Sequence, residues 1–181
     1  MNQKIKHQGL DNIATRDSDV AKALEQLGYP EPRIRAQGFE TFFSIVVSQQ
    51  LSTHAATAIM GRARDLIPEL NAQSVNSLTA DELRGIGLSR QKVTYIQGLC
   101  HAVLDGSFTP DALESMDNDT AIKQIVALKG FGPWSAEIYL MFSLQRPDIF
   151  PSGDLALLQS LQGLKRLDEK PTPKQAQEII A

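Results

Sequence analysis

The sequence predicts an all-α protein, and three observations carry that expectation. Apolar residues recur at helical spacing almost everywhere, and no stretch alternates as a strand would. Ser, Thr, Asp or Asn stands ahead of most apolar stripes, where a side-chain oxygen can cap a helix. Glycine or proline follows many of them. Taken in order, Asp17 and Ser18 cap a helix to about Leu27, stopped by Gly28 and Pro30. Phe39, Phe42, Phe43, Val46 and Val47 make a stripe that ends near Gln49. Ser52 caps an alanine-rich helix to about Ile67, closed by Pro68, and residues 71–77 read as a loop. Thr79 and Glu82 form a capping box. Ser89 caps a helix carrying Val93, Ile96, Leu99, Ala102 and Val103, which Asp105-Gly106 closes. Thr109-Pro110 starts a short helix, with proline at its first position. Asn118 or Asp119 starts the next, and Gly132-Pro133 starts one running to about Leu144. Thr172, Pro173 and Gln175 start the last, which meets no stop signal before Ala181 and ends on an unpartnered Ile179-Ile180 pair. That ending predicts a natural chain that continues further.

Composition narrows the function classes. The chain has 181 residues, 42% of them hydrophobic, enough to fill a core in one domain or two small helical lobes. The 22% charged content and net charge of -3 give no disordered tail and no globally basic footprint. A nucleic-acid contact would have to be local, made by a few groups. The single cysteine, Cys100, excludes an internal disulfide and a cysteine-built metal site, and its apolar setting reads as a buried thiol. His7, His54 and His101 lack metal-ligand spacing with one another. No apolar run approaches membrane-spanning length, so an intracellular protein is expected: cytoplasm and nucleoid, or nucleus in a eukaryote.

One pattern occurs twice. Leu83-Arg84-Gly85-Ile86-Gly87 and Leu128-Lys129-Gly130-Phe131-Gly132 both read L-x-G-h-G, each between a capped helix and a following one. Glycine permits a positive φ and close backbone approach, and the apolar residue can pin the turn into the core. Such a turn presents unpaired amides at the next helix's N-terminus, where the dipole favours an anion such as a phosphate. The plain alternative is a pair of ordinary helix–helix turns. For Gly130, Phe131, Gly132, Trp134 and Ser135 the phosphate reading is favoured, because Pro133 opens the helix; for Gly85 and Gly87 the two readings balance. Lys92, Lys129, Arg84 and Arg90 are candidate backbone contacts, although such residues are more often solvated surface charges.

LKGFGPWSAEIYLMF followed by RPDIFPSGD resembles the helix-hairpin-helix (HhH-GPD) DNA glycosylase superfamily, and within it the DNA-3-methyladenine glycosylase II branch. IVVSQQLSTHAA and LRGIGLSRQKVTYIQGL resemble other segments of that branch, so the similarity covers roughly residues 39–164. The resemblance implies a compact two-lobed helical bundle with its active-site cleft between the lobes. Its central lobe would be about 37–145, including the hairpin at 128–135, with a second lobe from the N- and C-terminal helices, together one domain over 1–181. It implies that Asp154 is the catalytic aspartate. Trp134 stands where bifunctional relatives carry a lysine nucleophile, so strand cleavage is not expected. The carbonyls of Val126, Leu128 and Phe131 fall where similar proteins hold a sodium or potassium ion; no cofactor is otherwise required. Gln50, with Leu51 beside it, falls on the residue that fills the gap left by a flipped base. Ile138 stands where a related bacterial type has an aromatic lining the base pocket, and the family usually continues into one more helix.

The residues suit that chemistry. A flipped nucleotide needs a wedge, and Gln50-Leu51 lies at a helix break; the alternative is a surface glutamine and a core leucine. N-alkylated purines are cationic, and indole is the best cation–π partner, so Trp134 is assigned to the base pocket, against an ordinary core role. Asp154 would stabilise the oxocarbenium cation as the glycosidic bond breaks; its pattern alone favours a cap for the helix over residues 155–161, and the hairpin placed before it reverses that preference. Tyr139 and Phe142 read as packing, Glu137 as solvated, and Asp148 as a turn initiator. The expected function is a monofunctional glycosylase that excises alkylated purines of the 3-methyladenine and 7-methylguanine type in base excision repair. It would act as a monomer on double-stranded DNA containing alkylated bases. A non-catalytic DNA-binding module and a helical protein-interaction domain are the competing readings; neither needs Asp154 or Trp134.

Overall fold

The computed structural model describes residues 3–181, and among these it is helical with no strand. The chain divides into two compact units, Arg35–Leu144 and Met1–Ile34 with Gln145–Ala181.

The N-terminal stretch, which carried no helix signal, forms α1, Gln3–Arg16. It is a polar helix that buries no residue, so periodicity had nothing to report. α2, Ser18–Leu27, starts where the cap signal put it: the Asp17 carboxylate accepts from the amides of Asp19 and Val20. α10, Leu155–Lys165, and α11, Pro173–Ile180, complete this unit. Leu158, Leu161 and Ala176 form its apolar cluster, with Phe150 packed against it. Lys165 Nζ lies 2.6 Å from Asp17 and 3.4 Å from Asp19, and Arg166 reaches Asp19 at 2.9 Å, so the end of α10 is tied to the start of α2.

The other unit is built around α3, Phe39–Ser48, whose Phe42, Phe43, Ile45, Val46 and Val47 are fully buried. Around it come α4, Thr53–Leu66; α5, Ala72–Asn76; α6, Ala80–Gly85; and α7, Arg90–Leu104. A short 3-10 helix, Pro110–Ser115, leads to α8, Asn118–Val126, and α9, Pro133–Phe142. α5 corrects the loop expected there: Asn71 caps it, and Ala72 and Val75 are buried. One turn is too short for a periodicity signal. α8 starts at Asn118, the first of the two expected starts, and Asp117 supplies its cap to Thr120.

Phe42 is the centre of this core. Its ring stacks on Tyr139 at 4.1 Å and meets the edges of Phe108 at 5.1 Å and Phe131 at 5.8 Å. The Tyr139 hydroxyl accepts from the Gly38 amide at 3.0 Å, which fixes the entry to α3. Tyr139 is therefore a packing residue. Cys100 is fully buried, and burial pushes its thiol pKa up to about 12, so it is an inert structural thiol.

Candidate nucleic-acid interface and catalytic carboxylate

Both glycine patterns form hairpins, but not in the register that the sequence pairing suggests. In the first, Leu83 and Gly85 lie inside α6, and the positive φ (+106°) falls on Gly87. In the second, α8 ends before Leu128, and the positive φ (+92°) falls on Gly130. Counted back from the helix that follows, Gly87-Leu88-Ser89 corresponds to Gly130-Phe131-Gly132. The buried apolar pins are Leu88 and Phe131. Gly85 is thus an ordinary helical residue, not a turn former, which removes the geometric ground for its proposed phosphate contact.

Each hairpin is held from behind by a side chain. Arg62 Nε on α4 donates to the Ile86 carbonyl at 2.8 Å. Gln49 Nε2 donates to the Gly130 carbonyl at 2.8 Å. Gly130 also lies against the face of Tyr95: an added Cβ would sit 2.2 Å from the ring. No sequence signal marked Arg62, Gln49 or Tyr95, since each acts across a long stretch of chain.

In front, the two differ. Ser89 Oγ accepts from the Lys92 amide at 3.3 Å, so α7 is capped by its own sequence. Gly132 offers no side-chain cap, and Pro133 has no amide hydrogen. The first helical bond is from Ala136 N–H to the Gly132 carbonyl at 3.2 Å, so the amides of Gly132 and Ser135 precede the ladder and belong to the positive end of the helix dipole. Ser135 is 2% exposed and Phe131 5% exposed. Any contact at these two positions falls to the backbone. Lys129 is exposed at the turn.

The break between α3 and α4 projects outward. Gln50 adopts a left-handed φ of +56°, and Leu51 is 41% exposed, which disposes of the core alternative for that leucine. Lys92 was expected to meet DNA backbone. Instead its ammonium donates to the carbonyls of Val47 at 2.7 Å and Gln49 at 2.8 Å, closing the end of α3. Burial lowers its pKa. Lys92 is therefore an internal brace, and Arg84 is paired with Asp81 at 3.5 Å.

Trp134 is half-buried in the first turn of α9, and Ile138, one turn on, is buried in the core. Glu137 is half-buried rather than solvated, and burial raises its carboxyl pKa. In the other unit, Asp154 is the N-cap of α10. Its Oδ1 accepts from the Leu157 amide at 2.9 Å, and its own amide donates to the Pro151 carbonyl at 2.8 Å, so loop and cap together fix the carboxylate's direction. Asp148 sits at φ +60°, as a turn residue does.

Val126 closes α8, and Leu128 and Phe131 follow in its turn. Carbonyls at a helix C-terminus carry partial negative charge and suit an alkali cation. The Leu128 carbonyl accepts from Phe131 N–H at 3.1 Å but retains a second lone pair. Backbone carbonyl oxygens are the donor chemistry such an ion takes.

Residues 43–181 match the family described as HhH-GPD superfamily base excision DNA repair protein. The chain is 28% identical over 142 residues to DNA-3-methyladenine glycosylase 1 of Schizosaccharomyces pombe, covering 76% of this chain and 62% of that protein. It is 31% identical over 107 residues to a DNA-3-methyladenine glycosylase of Bacillus subtilis, covering 59% of this chain and 35% of that protein. It thus spans less than two thirds of these relatives. Among solved structures, a DNA-3-methyladenine glycosidase from Bacillus halodurans superposes with a TM-score of 0.78 at 30% identity, over 93% of this chain and 78% of that one. The S. pombe 3-methyladenine DNA glycosylase in complex with abasic DNA superposes at 0.88 with 24% identity, over 96% and 89%, a likeness of fold. Among the described residues, no helix is long and apolar enough to cross a membrane.

Proposed function

The chain belongs to the HhH-GPD superfamily of base excision DNA repair proteins, and from that premise we propose that it is a monofunctional DNA glycosylase hydrolysing the N-glycosidic bond of alkylated purines. The observation that carries this reading is the second hairpin, braced behind by Gln49 and Tyr95 and uncapped in front. Relatives named DNA-3-methyladenine glycosylase support the lesion class.

In this mechanism the amides around Gly132 and Ser135 grip a phosphate of double-stranded DNA. No lysine is needed for that grip, which accommodates a net charge of -3. The projecting Gln50 and Leu51 enter the stack as the damaged nucleotide leaves it, offsetting an unstacking cost of a few kcal/mol. Trp134 stacks on the cationic base, a contact worth about 0.5–2 kcal/mol. The positive charge makes that base a good leaving group. As the bond breaks, Asp154 stabilises the oxocarbenium sugar and orients the attacking water. Trp134 offers no amine, so no Schiff base forms and the strand stays intact. A sodium or potassium ion, when held by the Val126, Leu128 and Phe131 carbonyls, would add fixed positive charge beside the phosphate grip. The protein would act as an intracellular monomer.

Asp154→Asn is an unusually clean test, because asparagine caps a helix as well as aspartate does. On methylated duplex DNA, the wild type should release 3-methyladenine or 7-methylguanine, and the variant should do so about 10²–10³-fold more slowly at unchanged melting temperature. Equal release from both would remove Asp154 from catalysis. Strand nicking without alkali would refute the monofunctional reading.

A further inference from the structure

α7 reaches two turns at once. From its first turn, Lys92 donates to the carbonyls of Val47 and Gln49, directly behind the left-handed Gln50 and the exposed Leu51. One turn on, the Tyr95 ring lies against Gly130 so closely that no side chain fits between them. Gln49 closes the loop, since its backbone carbonyl accepts from Lys92 while its side-chain amide donates to the Gly130 carbonyl. The end of α3 and the α8–α9 hairpin therefore share one set of supports.

An ammonium suits this place for three reasons. It donates several hydrogen bonds, it sits at the negative end of the α3 dipole, and it reaches carbonyls that α3 itself leaves without helical partners. A neutral apolar side chain would fill the space but leave those carbonyls unmatched.

We infer that Lys92 is a positioning residue that locks the Gln50-Leu51 projection in register with the hairpin, so that gripping the phosphate and entering the base stack are one rigid motion. The role of the projection rests on the glycosylase reading; the lock itself does not. A lysine that merely contacted DNA would act through binding strength. A positioning lysine acts on what happens after binding.

The experiment compares the full chain with Lys92→Met, which keeps volume, Lys92→Arg, which keeps charge and donors, and Gln49→Leu, which cuts the direct link. In the free proteins, amide hydrogen exchange is followed by segment. Lys92→Met should speed exchange about tenfold at residues 49–52 and at 130–132 together, leaving α10 unchanged, and Lys92→Arg should restore most of it. Gln49→Leu should loosen the hairpin segment. On a duplex carrying 2-aminopurine beside a tetrahydrofuran abasic analogue, Lys92→Met should bind within about twofold of wild type yet lose most of the fluorescence rise, and its single-turnover excision should fall about tenfold or more. Unchanged exchange in both segments, or uniform acceleration across the protein, would overturn the lock. So would binding and excision falling in equal proportion without rescue by arginine. A wild type that neither excises methylated purines nor raises the fluorescence would overturn the glycosylase reading alone, and the exchange data would still decide the lock.

Discussion

The two glycine hairpins share a sequence pattern and differ in almost everything that matters for binding. The α6–α7 turn closes itself: Ser89 caps the helix that follows, and the tip of the Arg62 side chain stands beside Gly87. The α8–α9 turn stays open at its front and is rigid at its back, with a ring rather than a flexible chain against Gly130. Satisfying a helix end from within the sequence contributes stability. An end without a side-chain cap, held still, is what the proposed phosphate grip needs. At the front, the difference lies in the cap residue, serine against glycine.

That contrast can be broken most forcefully at the positive-φ glycines. Gly130→Ala would force a methyl into the Tyr95 ring and a left-handed alanine, together about 3–4 kcal/mol, enough to lower the melting temperature by many degrees. Gly87→Ala carries the same backbone strain but meets chiefly the mobile end of Arg62, 2.7 Å away, so about 1–2 kcal/mol is expected. Equal destabilisation by denaturant titration would erase the claimed asymmetry.

Exchanging the caps comes next in size. Gly132 has φ -112°, and an added Cβ meets nothing within 4 Å, so serine is accommodated there. Gly132→Ser should place a hydroxyl where the phosphate is proposed to sit and weaken duplex binding about tenfold, with stability changed by only a few tenths of a kcal/mol. Ser89→Ala should do the reverse, costing about 1 kcal/mol with duplex affinity intact. Fluorescence anisotropy with a labelled duplex reads both, and the same affinity loss from each variant would assign the phosphate grip to neither hairpin.

The mildest test lies in the other unit and serves as a control. The Lys165 hydrogen bond holds the Asp17 carboxyl below its ordinary 3.8, and the Arg166 hydrogen bond does the same for Asp19. The unfolded chain therefore binds protons more readily, and this stabilisation is whole above pH 3.8 and disappears as pH falls through the lower folded values. Asp17→Asn should flatten the acid limb of the melting-temperature profile without touching duplex affinity at neutral pH. A drop in that affinity would draw the Asp17 cluster into DNA binding and blur the division of labour between the hairpins.

Helix starts were the most legible part of the fold, because a cap is local: Asp17, Ser52, Thr79, Ser89 and Thr172 each bond an amide two or three residues on. α1 was illegible because it buries nothing. The hairpin register was misread because the pattern cannot say where the preceding helix stops. α6 runs through Gly85, so the positive φ falls on Gly87, whereas α8 ends at Val126, so it falls on Gly130 and leaves Gly132 as the extended cap of α9. At the site, the spacing flagged the hairpin, Gln50-Leu51 and Asp154. It could not show that Gln49 reaches Gly130, 81 positions away, nor that Lys92 turns inward.

The depth of Cys100 has a practical use. With its thiol inaccessible and difficult to ionise at neutral pH, a cysteine introduced at position 51 would be the lone maleimide-reactive handle on an otherwise native background. A dye attached there would report the moment the projecting segment meets a duplex.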